Sequence, residues 1–295
     1  MAEWRPITIA GEGNREFALR SPMMPAAGFL GYGRAYPGLL DPRLFGALVT
    51  QATTLHPRGA RSAPVGAGLP RSHFARTRGG FILPVPAPNP GIGGMLRLFA
   101  PSWRRWQVPV IVALWLADAE EATSAASRLE EEESVSGVEL QVPPEAGATW
   151  LKAVANAFRQ RSDLPLLVKL PLAEAAQLAD AAVASGAAAL VLGTPHYGAQ
   201  PLTGLYGPLY GPATLPYTLR ALQELGLGGQ LSRPPLGSRG LPLIASGGIY
   251  TAEDADLCLQ SGAQAVQLDG IIPLDPTGAA EIARRYAPLT STASG

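Results

Sequence analysis

The sequence of 295 residues predicts a single (β/α)8 barrel. Eight short apolar runs alternate with stretches of helical length, which is the repeat of a parallel α/β fold. The clearest of these runs lack the polar alternation of half-exposed strands, so we expect both faces of the strands to be buried. The composition does not change between the two halves of the chain. This uniformity favours one closed barrel over a doubly wound sheet, the main alternative.

Composition and charge limit the classes of function. Hydrophobic residues make up 47% of the chain and charged residues 16%, so a large core can form. The net charge is zero, which gives no electrostatic reason to expect nucleic acid as a partner. No apolar run reaches the length of a membrane span, and the N-terminus lacks the basic and apolar segments of a signal peptide. We therefore expect a cytoplasmic protein. Cys258 is the single cysteine and cannot form a disulfide within the chain.

Residues 1–22 are predicted to form an N-terminal extension, a hairpin around the turn residues 11–14. The barrel itself is predicted at 23–287, and 288–295 are expected to be a loose tail. The barrel strands are predicted at 23–27, 47–52, 108–116, 137–142, 166–170, 188–192, 241–245 and 265–268.

The helices between these strands are predicted from residue pattern and capping signals. The clearest follows the seventh strand, where Thr251 is the expected N-cap residue and Glu253 and Asp254 favour the first turn. The helices are predicted at 41–45, 94–106, 119–133, 149–161, 173–185, 212–225, 251–261 and 279–286.

Two segments that follow no helix or strand pattern are predicted to be long loops. The loop at 56–90 is too long for an idle connection in a compact domain, so it should be functional or mobile. The segment 226–240 is rich in glycine and proline and is predicted to be a linker. We expect residues 56–78 and this linker to provide contacts with protein partners.

Residues at the ends of the strands should converge on one face of the barrel, where the active sites of this fold lie. They are Gln51, Gln141, Lys169, Thr194 and the pair Gly247 and Gly248. The paired glycines could hold a phosphate with their backbone N–H groups, or they could form a simple tight turn. Lys169 is one of only two lysines in the chain and could either bind a ligand or be ion-paired within the mouth.

Six segments of the chain form a recognisable series of motifs: 24–33 (MPAAGFLGYG), 47–58 (ALVTQATTLHPR), 79–91 (GGFILPVPAPNPG), 168–172 (VKLPL), 211–222 (GPATLPYTLRAL) and 241–270. In order and spacing they resemble the dihydroorotate dehydrogenase family of FMN-binding (β/α)8 barrels, and the resemblance covers residues 16 to 287 in one register. The resemblance implies an FMN-dependent oxidoreductase of pyrimidine biosynthesis that forms homodimers or hetero-complexes. The cofactor-binding positions that it implies are Ala26, Gly28, Thr50, Gln51, Gln141, Lys169, Gly247, Gly248 and Gly270.

This sequence departs from the family at the positions that act on dihydroorotate. Pro144 stands where the family has its catalytic base, and the mobile lid that carries this base looks deleted. Gln51 replaces a lysine that reaches flavin and substrate. Leu83 and Gly193 replace asparagines that bind orotate. We therefore expect a divergent flavin-type oxidoreductase with a small-molecule ligand other than dihydroorotate. The alternatives are an inactive homologue that serves as a scaffold or subunit, and a ligand sensor.

A further departure concerns FMN itself. The family has Gly-Thr after the eighth strand, where backbone and hydroxyl groups meet the phosphate, and this chain has Asp269 and Gly270. A carboxylate beside a phosphate dianion is repulsive, unless Asp269 points away and caps the next turn. The sequence therefore leaves both outcomes open for FMN.

The three histidines offer little further chemistry. His196 and Tyr197 follow the sixth strand and could form a substitute acid–base pair, although loop histidines are more often structural. His56 and His73 lack metal-ligand spacing, so we expect no metal site.

Overall fold

A computed structural model describes residues 6–11, 15–59, 74–226 and 241–287. The strands, in chain order, are β1 (Ile7–Ala10), β2 (Glu16–Leu19), β3 (Met23–Pro25), β4 (Leu48–Val49), β5 (Ala75–Thr77), β6 (Gly80–Ile82), β7 (Val110–Leu114), β8 (Gly137–Gln141), β9 (Leu166–Pro171), β10 (Ala189–Gly193), β11 (Tyr197–Gln200), β12 (Leu205–Tyr210), β13 (Leu243–Ser246) and β14 (Ala265–Leu268). The helices are α1 (Gly91–Trp103), α2 (Ala119–Glu130), α3 (Gly147–Arg159), α4 (Ala175–Ala184), α5 (Leu215–Gly226), α6 (Ala252–Gln260), α7 (Ile271–Leu274) and α8 (Pro276–Arg285).

Eight parallel strands form the predicted barrel. Their order around the sheet is β3, β14, β13, β10, β9, β8, β7 and β4, so strands that follow one another in this set along the chain are neighbours. The ring closes between β3 and β4, because the backbone N–H of Gly46 donates to the carbonyl of Met23 at 2.8 Å. The fold class predicted from the sequence is therefore confirmed.

The N-terminal hairpin closes the bottom of this barrel. β1 and β2 pair antiparallel, with Ile7 opposite Leu19. Ile9 and Leu19 are fully buried and belong to the same apolar cluster as residues of the barrel interior. Phe17 lies against Gly137 at the start of β8, where a Cβ atom would come within 2.8 Å of its ring. This end of the barrel is therefore filled by side chains.

A second sheet, which was not predicted from the sequence, is built from the connections after β4 and β10. Its four antiparallel strands have the order β11, β12, β6 and β5, and Tyr210 pairs with Phe81. The prediction of an unbroken loop at 56–90 was therefore wrong, because β5 and β6 lie within it. Both connections leave the carboxyl ends of barrel strands, so this sheet belongs to the mouth.

Other boundaries shift by a few residues. The helix predicted from 94 begins at Gly91, whose N–H donates to the Asn89 side chain at 3.0 Å. The helix predicted at 41–45 is a single 3-10 turn over Pro42–Leu44. The hairpin turn residues 12–14, His73, the tail from 288 and the linker after Gly226 lie outside the described residues. The predicted domain limits stay predictions.

The helix after the seventh barrel strand, α6, begins where the capping signals predict. Thr251 accepts a hydrogen bond from the backbone N–H of Asp254 at 3.1 Å, and the Asp254 carboxylate accepts one from the N–H of Thr251 at 2.9 Å. This capping box fixes the start of α6. Cys258 is fully buried in that helix and packs in the core. Within the described ranges, no helix is both long enough and apolar enough to cross a membrane.

Candidate functional site at the barrel mouth

The carboxyl ends of the barrel strands carry a group of buried polar side chains. Each is at most 9% exposed: Thr50, Gln51, Glu139, Gln141, Lys169, Thr194, Ser246, Gln267 and Asp269. Burying polar groups is unfavourable unless hydrogen bonds compensate, so their partners show what the mouth is built to hold.

Lys169 on β9 is held by an internal network. Its Nζ donates to Oε1 of Gln267 at 2.8 Å and lies 3.8 Å from Oε1 of Glu139. Gln141 donates to the same Glu139 oxygen at 2.6 Å, and Gln267 donates to the other one. Burial lowers the pKa of Lys169, and the charges of Glu139 and Asp269 oppose this shift. The sequence left two roles open for Lys169, ligand binding or an ion pair within the mouth. The structure shows the ion pair, with Glu139.

Glu139 and Gln267 are site residues that were not identified from the sequence. A signal was available, because alternate residues of a strand point to the same face. Glu139 lies two residues before Gln141, and Gln267 lies two residues before Asp269. A fully buried glutamate requires a cation, and Lys169 is the neighbour of Gln141 in the parallel register.

The two glycines after β13 have conformations that favour glycine, with φ of 123° at Gly247 and 79° at Gly248. A Cβ atom on Gly248 would collide with the backbone N of Leu215 at the start of α5. The hydroxyl of Thr218 donates to the carbonyl of Gly247 at 2.9 Å. Packing against α5 therefore explains both glycines without a ligand.

Gly248→Ala should lower the free energy of unfolding by about 3 kcal/mol, since it combines an unfavourable φ with a backbone collision. Gly38→Ala is the matched control, because Gly38 has a similar φ of 80° but open space around its Cβ position. We expect this control to cost only about 1 kcal/mol. Urea denaturation of both variants measures the difference. Equal losses in the two variants would show that α5 does not restrict Gly248.

Asp269 directly follows β14 and turns its carboxylate onto the local backbone. Its Oδ1 accepts the N–H of Gly270 at 2.5 Å. Its Oδ2 is buried and has no hydrogen-bond partner among the described residues. Burial raises the pKa of Asp269 to about 6, although backbone hydrogen bonds from Gly270 and Gly248 and the charge of Lys169 lower it.

The space beside this carboxylate is filled by aromatic residues. A Cβ atom on Gly270 would collide with the hydroxyl of Tyr250, which is buried and lacks a partner among the residues described. Phe29, Phe81 and Tyr210 form a buried cluster with ring centroids 4.9 Å to 6.4 Å apart. This cluster links the loop after β3 to the second sheet.

These features do not fit the phosphate of FMN. The backbone N–H of Gly270, which the resemblance assigns to the phosphate, is taken by Asp269. The only lysine at the mouth is bonded to Gln267 and Glu139. A phosphate would therefore enter a site that already holds one cation and two carboxylates.

The other predicted cofactor positions are also engaged with the protein. The hydroxyl of Thr50 accepts the N–H of Ala113 at 3.1 Å, and Gln51 donates to the carbonyl of Pro88 at 2.8 Å. Ala26 is buried and donates its N–H to Leu268 at 2.7 Å. Gly28 has a φ of 97° and open space at its Cβ position.

The positions that would act on dihydroorotate are closed or apolar. Five residues, 142–146, connect β8 to α3, and the N–H of Ala146 bonds to the carbonyl of Pro143 at 3.2 Å. Pro144 therefore sits in a tight turn with no room for a lid. Leu83 is buried, and its N–H donates to Pro208 of β12 at 3.1 Å.

Packing in the barrel explains why position 193 is a glycine. A Cβ atom there would lie 2.8 Å from Cε of Lys169 and 2.6 Å from Cβ of Ser246. The glycine therefore gives Lys169 the space to reach Gln267. An asparagine at this position would displace Lys169 from its network.

His196 and Tyr197, the predicted acid–base pair, each lie beside a different tyrosine ring. The ring of His196 is exposed and lies 4.7 Å from that of Tyr217, whereas Tyr197 lies 5.2 Å from Tyr206. Whether the two residues act together stays a prediction. In the described part of the chain, no cluster of three or more histidine, cysteine or acidic residues could hold a metal ion.

The sequence and the fold were compared with known proteins. The catalytic subunit of dihydroorotate dehydrogenase B (NAD(+)) from Desulforudis audaxviator is 30% identical over 297 residues, which cover 94% of this chain and 89% of that protein. The protein of the same name from Geotalea daltonii is 30% identical over 289 residues, with 90% and 88% covered. The solved structure of Eimeria tenella DHODH in complex with ferulenol has a TM-score of 0.69 at 14% identity, covers 92% of this chain and 81% of its own, and supports the fold. No family model matches the sequence.

Proposed function

Because this chain belongs to the dihydroorotate dehydrogenase family, we propose that it is a catalytically inactive member that does not oxidise dihydroorotate. The observation that carries the proposal is the turn at Pro143 and Pro144. Oxidation of dihydroorotate removes a proton from C5, and proline has no group that can accept a proton.

Among the described residues, the carboxylates near this turn and in the mouth are exposed or take part in hydrogen bonds within the protein, as Glu174 does with the N–H of Glu145 at 3.1 Å. Glu145, next in the turn, is exposed. Glu139 accepts hydrogen bonds from both Gln141 and Gln267. Asp269 is engaged by the backbone of Gly270. The second oxygen of Asp269 has no partner among the described residues, but it lies after β14 and not in the turn that holds Pro144.

The substrate-binding side of the mouth supports the same proposal. Orotate carries a carboxylate and amide groups that need fixed donors, and Leu83 and Gly193 have no side-chain donor. Each buried polar group of the ligand left without a partner costs about 1–3 kcal/mol. Together with the loss of a general base, worth about 10²- to 10⁴-fold, these losses imply a drop of several orders of magnitude in turnover.

We expect purified protein, supplied with FMN, to form orotate from dihydroorotate no faster than a sample without protein. Orotate absorbance under anaerobic conditions, with an artificial electron acceptor, measures the rate. The Desulforudis audaxviator relative, assayed identically, is the positive control. Rapid orotate formation would refute our interpretation of Pro144.

Our proposal for the biological role is that of a subunit or scaffold. The relatives named above are catalytic subunits, which by their name belong to larger assemblies. This chain keeps their barrel and loses the reactive side chains, so it would contribute a folded surface to a homodimer or hetero-complex. Size-exclusion chromatography with light scattering tests this directly, and a monomer that captures no partner from its own host would count against it.

A second candidate is a flavin-dependent oxidoreductase with a more apolar substrate. It is favoured by Lys169, which the resemblance places near the flavin ring, and by the apolar residues Leu83, Pro84 and Pro143 at the mouth. The colour of the purified protein separates the two. A yellow protein with flavin absorbance would support this candidate, and a colourless protein that ignores added FMN would eliminate it.

A further inference from the structure

The phosphate end of the mouth contains an anion that belongs to the protein. The Oδ1 atom of the Asp269 carboxylate accepts the N–H of Gly270 at 2.5 Å, and its Oδ2 atom is buried without a partner among the described residues. Gly248 and Gly270 are two of the positions at which the resemblance places the phosphate of FMN. A carboxylate and a phosphate compete for the same backbone donors because both are anionic oxygen acceptors.

The charges around Asp269 also disfavour a phosphate at this end of the mouth. The described groups that interact electrostatically with Asp269 are Lys169, Tyr210 and Tyr250. Lys169 also neutralises Glu139, 3.8 Å away. The buried cluster therefore has one positive charge against two carboxylates, so it repels a further anion.

The space beside Gly270 is also too small for a phosphate. The hydroxyl of Tyr250 lies over Gly270 at a distance that leaves no room for a Cβ atom. The ring of Phe81 is 3.2 Å from that same Cβ position. An additional phosphate would have to displace the carboxylate and these rings together.

We propose that Asp269 is a built-in substitute for the cofactor phosphate: its carboxylate occupies the backbone donor of Gly270, so this barrel rejects ligands that end in a phosphate. The selectivity lies in one side chain. Removing it should restore a preference for phosphate. The inference does not depend on the proposed function, since a barrel could bind FMN and still lack a base for dihydroorotate.

The test compares FMN with riboflavin, which is the same molecule without the phosphate. Affinities are measured by quenching of flavin fluorescence at pH 8. The wild-type protein should bind FMN no more tightly than riboflavin, because its phosphate gains no donors. Asp269→Gly should bind FMN at least about tenfold more tightly than riboflavin, and inorganic phosphate should compete with FMN in this variant.

Two further variants separate charge from space. Asp269→Asn keeps the shape and removes the charge, so it should lie between the wild type and Asp269→Gly in its FMN preference. Glu281→Gln removes an exposed carboxylate of α8 and should leave both affinities unchanged. Circular dichroism verifies that each variant is folded.

Either of two results would overturn the proposal. The first is a wild-type protein that already prefers FMN to riboflavin, because its phosphate site would then be open. The second is a folded Asp269→Gly protein without any gain in FMN preference, because Asp269 would then not be the excluding group. If Asp269→Gly does not fold, the wild-type comparison and Asp269→Asn decide in the same way. Dihydroorotate turnover is a separate readout, so failure of the proposed function would be recognised independently.

Discussion

Lys169→Met is expected to lower the free energy of unfolding by about 3–5 kcal/mol, the usual cost of removing one partner from a buried ion pair. The wild-type amine lies 3.8 Å from the Glu139 carboxylate and donates to Gln267 at 2.8 Å. Methionine has a similar length and no charge, so it would leave Glu139 fully buried with a negative charge and no cation. Urea denaturation at pH 7 measures the loss.

The chain provides its own control for this experiment. Lys152, the only other lysine, is exposed on α3, so Lys152→Met should change stability by less than about 0.5 kcal/mol. The double variant Lys169→Met with Glu139→Gln removes both charges and should recover at least half of the loss. A loss below about 1 kcal/mol for Lys169→Met alone would show that the pair does not hold the mouth together.

The barrel could be predicted from the sequence because its signals are local. Runs such as Val110–Leu114 and Ala189–Gly193 are apolar over their length, and their spacing by helical stretches sets the order of the strands. The N-cap of α6 was also predicted correctly, because a capping box is defined by residues three positions apart.

The second sheet could not be predicted with the same rules. β6 and β12 are short, contain glycine or proline, and come from segments more than 100 residues apart. Their pairing is fixed by the closed barrel, which brings the two connections together over the mouth. The strand propensity of these short segments alone is too weak to indicate it.

The sequence predicted where the site residues lie but not which side chains they contact. Lys169, Gln141 and Asp269 were each placed at strand ends, yet the sequence did not indicate that Glu139 and Gln267 would bind the lysine from inside the barrel. Hydrogen bonds between residues 128 positions apart, as between Gln267 and Glu139, depend on the closed sheet and have no local pattern.

Asp269→Asn is expected to stabilise the protein, which is unusual for a buried polar substitution. The pKa of Asp269 is about 6 in the folded state, whereas the ordinary pKa of an aspartate in an unstructured chain is 3.8. The folded state therefore holds its proton more tightly, so stability falls as the pH rises from about 4 to about 6 and stays lower above this range. This shift corresponds to about 3 kcal/mol at pH 8.

The difference between the two proteins isolates this carboxylate. Lys169, Tyr210 and Tyr250 interact with it and are present in both proteins, so their own contributions largely cancel in the difference. Urea denaturation at pH 4, 6 and 8 should show nearly equal stability at pH 4 and a growing advantage of Asp269→Asn above it. Glu281→Gln, on the exposed face of α8, should show no such trend. An advantage that does not vary with pH would mean that charge burial is not its cause.

The sign of this effect bears on what Asp269 does. A buried carboxylate that destabilises the fold at neutral pH is not explained by stability, because asparagine at the same position would also accept the N–H of Gly270. The charge then has another effect, and the local consequence of a negative charge on the N–H of Gly270 is the rejection of another anion. If Asp269→Asn is more stable and also gains preference for FMN over riboflavin, the same charge accounts for the lost stability and for the exclusion of phosphate.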